Sequence, residues 1–212
     1  MSETGSISIL LAFGLSLYAV AASVIGAKTK NRELIKSSEN CAIAICALLF
    51  IATISLVHGL INLDFSLRYV ALNTSTDLPI IYRFTALWAG QSGSLLLWSF
   101  VLSVYIAIVV YQNSKHRKLL TPYVNSVLFF VLAFFLLINV YVESPFEKLG
   151  FTVEQGRGLN PILQNAYMAI HPVTLYLGYV GVTIPFAFAM GALLSGRLND
   201  DWIRMSRKWT LF

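Results

Sequence analysis

Charge, histidine and cysteine are all scarce in this chain of 212 residues, which holds 3 His, 2 Cys and only 12% Asp, Glu, Lys and Arg. A soluble domain carries roughly twice that charge, about 25%. A wetted globular enzyme and a disordered acidic or basic arm are therefore both excluded. Cys41 and Cys46 stand in one apolar run, at a spacing that puts them on different faces of a helix. They offer no CxxC pair, zinc spacing or disulfide framework. Internal repeats and low-complexity tracts are missing too, which removes solenoids and flexible interdomain linkers. Apolar residues are abundant instead, at 57%, with a mean hydropathy of +0.72. The bilayer is the solvent that such a composition requires.

Five stretches lack Lys, Arg, Asp and Glu and approach or exceed the roughly 20 residues of a spanning helix. They run from about Ser6 to Ala27, Cys41 to Leu63, Ser92 to Gln112, Leu119 to Val142 and Pro172 to Ser195. The first is read as a retained anchor, because MSETGS carries Glu3 and no cation, and the run exceeds the roughly 7 to 15 apolar residues of a secretory signal. An all-α polytopic membrane protein of about five transmembrane helices is predicted.

Its orientation follows from the cations. The segments 28–40, 113–120 and 196–212 hold eleven Lys and Arg residues, whereas 64–91 and 143–171 hold four, Arg68, Arg83, Lys148 and Arg157. The positive-inside rule then puts the N-terminus outside and the C-terminus inside. That asymmetry accounts for the net charge of +5 with membrane lipid as surroundings and no nucleic acid.

The outside segments are long and carry the chemistry. In the first, Leu78 to Trp88 is amphipathic, with Tyr82, Phe84 and Trp88 close together and Arg83 its only charge. Such a piece lies in the interface, as an aromatic belt or as a shelf for a flat cofactor. Gly90 and Gly93 permit a tight turn, and a serine cap opens the third span. In the second segment, Asn160 followed by Pro161 starts a short outer interfacial helix. Pro172 ends that helix near His171 and opens the fifth span. His171 then sits at a helix break on the outer face, where an imidazole either turns a ring nitrogen toward a flat ligand such as haem or caps the fifth helix. Spacing leaves both open. His58, near the outer end of the second span, is either a functional intramembrane group or a partner of a neighbouring carbonyl. His116 lies in the basic run KHRK, a solvated cluster. Asn139 is placed to bond across helices, and Pro185 to kink the fifth span.

Three stretches, DFSLRYVALNTSTDLPIIYRFTALWAGQSGSLLLW at 64–98, GLNPILQNAYMAIHPVTLYLGYVG at 158–181 and FAFAMGALLSGRLNDDWIRMSRKWTLF at 186–212, resemble the CcmF and NrfE group of cytochrome c biogenesis proteins. These belong to the haem-handling superfamily that carries a tryptophan-rich WWD motif. The resemblance implies a membrane subunit or fragment of a haem lyase in the inner (plasma) membrane, with its functional loops on the periplasmic or outer side. His171 matches one of two outward histidines that hold haem iron. The implied ligand is haem b, bound or as substrate, brought by a haem-carrier protein and attached to apocytochrome c through its CXXCH thiols. Arg83 and Arg157 are candidate propionate partners, or else interface anchors, and Trp88 is a candidate haem neighbour.

Two departures stand out. Val173 replaces the second proline of the family's HPP pattern, and Gln91, Ser92 and Gly93 replace its HEG. The WWD segment and the second histidine are absent, so 1–212 reads as the N-terminal portion of the assembly domain, either a fragment or one chain of a split protein. Trp209 to Phe212 would begin a sixth span. Such a chain is not expected to be active alone. It would work with other cytochrome c maturation subunits or with the rest of the protein. A haem transporter and a structural subunit of an assembly complex are the rival classes.

Overall fold

The computed structural model describes residues 1–114, 119–151 and 153–211. His116 and its basic run lie outside the described residues, as does Phe212. Eight α-helices occur among the described residues: α1 (Ser2–Thr29), α2 (Arg32–Ile61), α3 (Arg68–Asn73), α4 (Ile80–Thr85), α5 (Gln91–Ser114), α6 (Thr121–Tyr141), α7 (Ala166–Ser195) and α8 (Asp201–Leu211). Five of them, α1, α2, α5, α6 and α7, are long and apolar enough to cross a membrane. Each coincides with one of the five apolar stretches. α1, α2, α5 and α7 start before their apolar windows, because hydropathy marks the length that sits in hydrocarbon while polar residues such as Ser2, Glu3 and Thr4 continue the backbone ladder beyond it. α6 lies within its window.

α1 and α2 form an antiparallel hairpin. Lys30 closes α1 in the left-handed conformation at φ 55°, and the Asn31 side chain caps α2 by accepting from the Glu33 and Leu34 amides. Apart from Ile9, the buried stripe of α1 is made of small residues, Gly5, Ser8, Ala12, Ser16, Ala19, Ala22, Ser23 and Gly26. Small residues let backbones approach in lipid, where dispersion replaces the hydrophobic effect as the cohesive term. A Cβ on Gly26 would lie 2.9 Å from Ile35 Cγ1. Several buried hydroxyls turn back onto their own helices, Ser16 to Phe13 O at 2.7 Å and Thr53 to Leu49 O at 2.8 Å. They expose no unpaired group to hydrocarbon at those sites.

α1, α2, α5 and α6 close a ring, each packed on the next, and α7 lies in the groove between α5 and α6. Asn139 on α6 donates to Ser99 Oγ on α5 at 3.2 Å, the cross-helix bond expected of it. Gly191 lets α7 press on α6, since a Cβ there would sit 2.7 Å from Val124 Cγ2. α8 folds back on α7, and its Trp209 ring meets Tyr105 of α5 edge-on at 5.2 Å.

Three local expectations are corrected. After Asn160 and Pro161 only a single 3-10 turn forms, Pro161–Leu163, and no separate interfacial helix ends at His171. Instead α7 starts at Ala166, capped by the Asn165 side chain on the Tyr167 amide, and runs unbroken through His171 and Pro172. The residue before proline is biased away from the α region without being barred from it, and lone prolines are tolerated inside membrane helices. Pro185 also lies inside α7. Finally, α5 begins at Gln91, so Ser92 is not its cap, and the Ser94 hydroxyl donates to Trp88 O at 3.0 Å. The short outer helices are α3 and α4, both in the first long segment.

Candidate functional site

The two long segments, 62–90 and 142–165, lie together at one end of the bundle, here termed the long-segment face. Backbone bonds stitch them. Arg68 N donates to Glu147 O at 2.9 Å, Leu149 N to Ser66 O at 2.8 Å, Arg157 N to Ala71 O at 2.7 Å and Gly158 N to Thr74 O at 3.0 Å. Only glycine fits at 156, where a Cβ would overlap the Thr74 carbonyl oxygen. Side chains add Arg68 on Glu147 at 2.7 Å, Lys148 on Glu3 at 2.9 Å, and Gln155, which accepts from Thr76 and donates to Asp77.

Tyr69 is the hub beneath this cap. It is 5% exposed. Its hydroxyl lies 2.8 Å from Ala86 O and 3.0 Å from Leu87 O and accepts from Gly90 N at 3.1 Å. Burial pushes the phenol well above the ordinary tyrosine range, against the Gly90 N–H, which lowers it. It stays neutral and donating at any physiological pH. Gly93 belongs to the same lock, because a Cβ there would overlap both Leu87 O and the Tyr69 hydroxyl. The turn leading into α5 is therefore fixed from α3. Nothing in the sequence singles out Tyr69, one aromatic in an apolar context bonded to residues 17 to 21 positions away.

The four candidate residues fare differently. Arg83 donates Nε to Leu78 O at 2.7 Å, one terminal nitrogen to Thr76 O at 2.9 Å and the other to Ile61 O at 3.3 Å. It anchors the first long segment to the end of α2. Trp88 packs partly buried on the core and meets Phe84 edge-on at 5.7 Å. Arg157 is exposed, and its guanidinium has no partner among the described residues. It lines two adjoining clefts. One, of about 320 Å³, is walled by Leu72, Phe151 and Val153, and the other, of about 390 Å³, by Asn73, Ala89, Asn160 and Leu163.

His171 is exposed near the long-segment end of α7, its ring unbonded among the described residues. Its carbonyl accepts from Thr174 Oγ1 at 2.8 Å. His58 lies in the last turn of α2, exposed, its carbonyl bonded to Asn62. Among the described residues no three His, Cys, Asp or Glu gather to hold a bare metal ion. A lone open imidazole suits a metal that brings its other ligands with it, as a porphyrin does.

The family model described as cytochrome C assembly protein matches residues 88–212. The cytochrome c-type biogenesis protein CycK of Bradyrhizobium diazoefficiens is 34% identical over 213 residues, 100% of this chain and 32% of that protein. CcmF of Pseudomonas aeruginosa is 36% identical over 210 residues, 99% of this chain and 32% of that protein. NrfE of Haemophilus influenzae is 31% identical over 216 residues, 100% of this chain and 33% of that protein. A solved structure named cytochrome c heme lyase CcmF superposes with a TM-score of 0.85 at 29% identity, over 99% of this chain and 33% of that one. The chain spans about a third of the length of the curated relatives it matches.

Proposed function

The chain belongs to the cytochrome c assembly protein family, and from that premise we propose that it is part of a cytochrome c haem lyase in which His171 holds haem at the long-segment face. The observation that carries this reading is the unbonded, exposed imidazole of His171 near the end of α7. Arg157, without a partner beside two clefts, is the propionate partner, since a guanidinium grips a carboxylate through two parallel bonds. Arg83 already uses its donors on three carbonyls and serves as an anchor. Trp88 backs the turn beside the second cleft.

Haem supplies the iron and the vinyl groups at which thioether bonds to cysteine thiols form. This chain's share is to fix position. His171 offers a nitrogen lone pair from a helix anchored in the bundle, Arg157 orients the acid edge, and the Tyr69 lock keeps the turn at Ala89 in place. Holding the reacting edge still is the main lever a protein has on such a reaction. Haem b, a haem carrier, apocytochrome c and further maturation subunits are the ligand and partners of this reading. The long-segment face is the periplasmic side of an inner membrane, an orientation supported by four cations there against eleven on the other connections.

The test uses the protein in its assembled form in the cell membrane. His171→Ala is expected to lose or shift the haem absorption spectrum and to abolish cytochrome c maturation in cells. A normal spectrum with normal maturation overturns the assignment.

A further inference from the structure

The opposite end of the bundle carries a second site. On the long-segment face most cations have partners: Arg68 on Glu147, Lys148 on Glu3, and Arg83 on carbonyls. At the other end, Lys28, Lys30, Arg32 and Lys36 flank the α1–α2 turn, and Arg197, Arg204, Arg207 and Lys208 lie on and before α8. None of these eight makes an ion pair among the described residues. Eight cations thus stand against four carboxylates at this end, Glu33, Glu39, Asp200 and Asp201. On the long-segment face Arg157 alone of four cations has no partner among the described residues.

α8 shows how that charge is presented. Trp202, Met205 and Trp209 turn toward the bundle and pack on its core with buried Ser206 between them, while Arg204, Arg207 and Lys208 are exposed. The same stretch of chain exposes apolar side chains, Leu194 at 57%, Leu198 at 69%, Ile203 at 50% and Leu211 at 78%, the last two on α8 with the cations. A soluble anion uses the guanidinium groups and leaves the leucines in water. A phospholipid uses both, phosphate on the cations and acyl chain along the apolar flank. An acidic protein segment would satisfy the charge but not a flank that continues the exposed apolar surface of α7 at Leu193 and Leu194.

We propose that α8 and the turn before it bind the head group of an anionic phospholipid, with Arg204, Arg207 and Lys208 on the phosphate and Leu198 and Ile203 along the chain. The site is independent of the haem reading and of which side of the membrane this end faces.

The test takes the full-length protein in mixed micelles and counts retained lipids by native mass spectrometry, offering phosphatidylglycerol, phosphatidylcholine or inorganic phosphate. Wild type is expected to retain phosphatidylglycerol about fivefold over phosphatidylcholine, with the preference reduced in high salt. The triple variant R204Q/R207Q/K208Q is expected to lose that preference, while K148Q, on the other face, keeps it. If the triple variant fails to fold, R207Q alone is read in the same assay and is expected to show a weakened preference. Equal retention of both lipids by wild type, unchanged retention in the variants, or equal competition by inorganic phosphate overturns the proposal.

Discussion

At the scale of single residues the long-segment face depends on side chains that touch no ligand. Tyr69 satisfies two carbonyls and an amide at the turn before α5 with one hydroxyl. Tyr69→Phe keeps the ring and strands the Leu87 carbonyl and the Gly90 amide in a buried setting, which costs roughly 1–3 kcal/mol, while Ala86 O retains its bond from Ala89 N. A thermal unfolding series in detergent is expected to show the variant melting several degrees lower. An unchanged melting temperature would mean that water reaches the turn. The sequence put His171 forward as a candidate through its place beside Pro172 and the family resemblance, and Arg157 as one of four cations in the long segments. Tyr69 was not legible there, since its importance arises only when α3 is laid against a turn more than a dozen residues away. Arg83 was visible as a lone charge, but its three carbonyl partners come from two separate segments that no local pattern joins.

At the scale of elements, hydropathy located all five long helices and misplaced their ends. The instructive case is α7. Proline at 172 suggested a boundary, yet the effective start signal is Asn165, whose side chain caps the Tyr167 amide at 2.9 Å. Six residues of helix then precede the proline and carry His171 on a rigid rod. Asn165→Ala removes the cap and is expected to cost about 1 kcal/mol, concentrated in the first turn. Hydrogen exchange should speed up at Tyr167 to Ile170 and remain slow below Val180. If His171 holds haem from this turn, the variant should also bind it more weakly. Equal exchange rates across the first turn in the two proteins would show that packing, not the cap, holds this end.

At the scale of the whole molecule, the number of spans and the charge asymmetry came from composition, whereas the ring of α1, α2, α5 and α6 with α7 set in its groove did not. Ring closure depends on which small residues face each other across helices, and a period-3.6 stripe of Gly, Ala and Ser on α1 names no partner. Orientation is the property on which the functional reading rests, because His171 and the short turns lie at opposite ends of the bundle. Two single-cysteine variants settle it in the full-length protein, after Cys41 and Cys46 are replaced by alanine. Glu154→Cys lies on the exposed long-segment face and Asn199→Cys in the exposed turn before α8. With four cations against eleven, the positive-inside rule puts residue 154 outside. A membrane-impermeant maleimide is then expected to label Glu154→Cys in intact cells and Asn199→Cys only after permeabilisation. The reverse pattern would turn His171 and both clefts toward the cytoplasm, away from any site of attachment to an exported cytochrome. The lipid site proposed on α8 would then draw on the other leaflet.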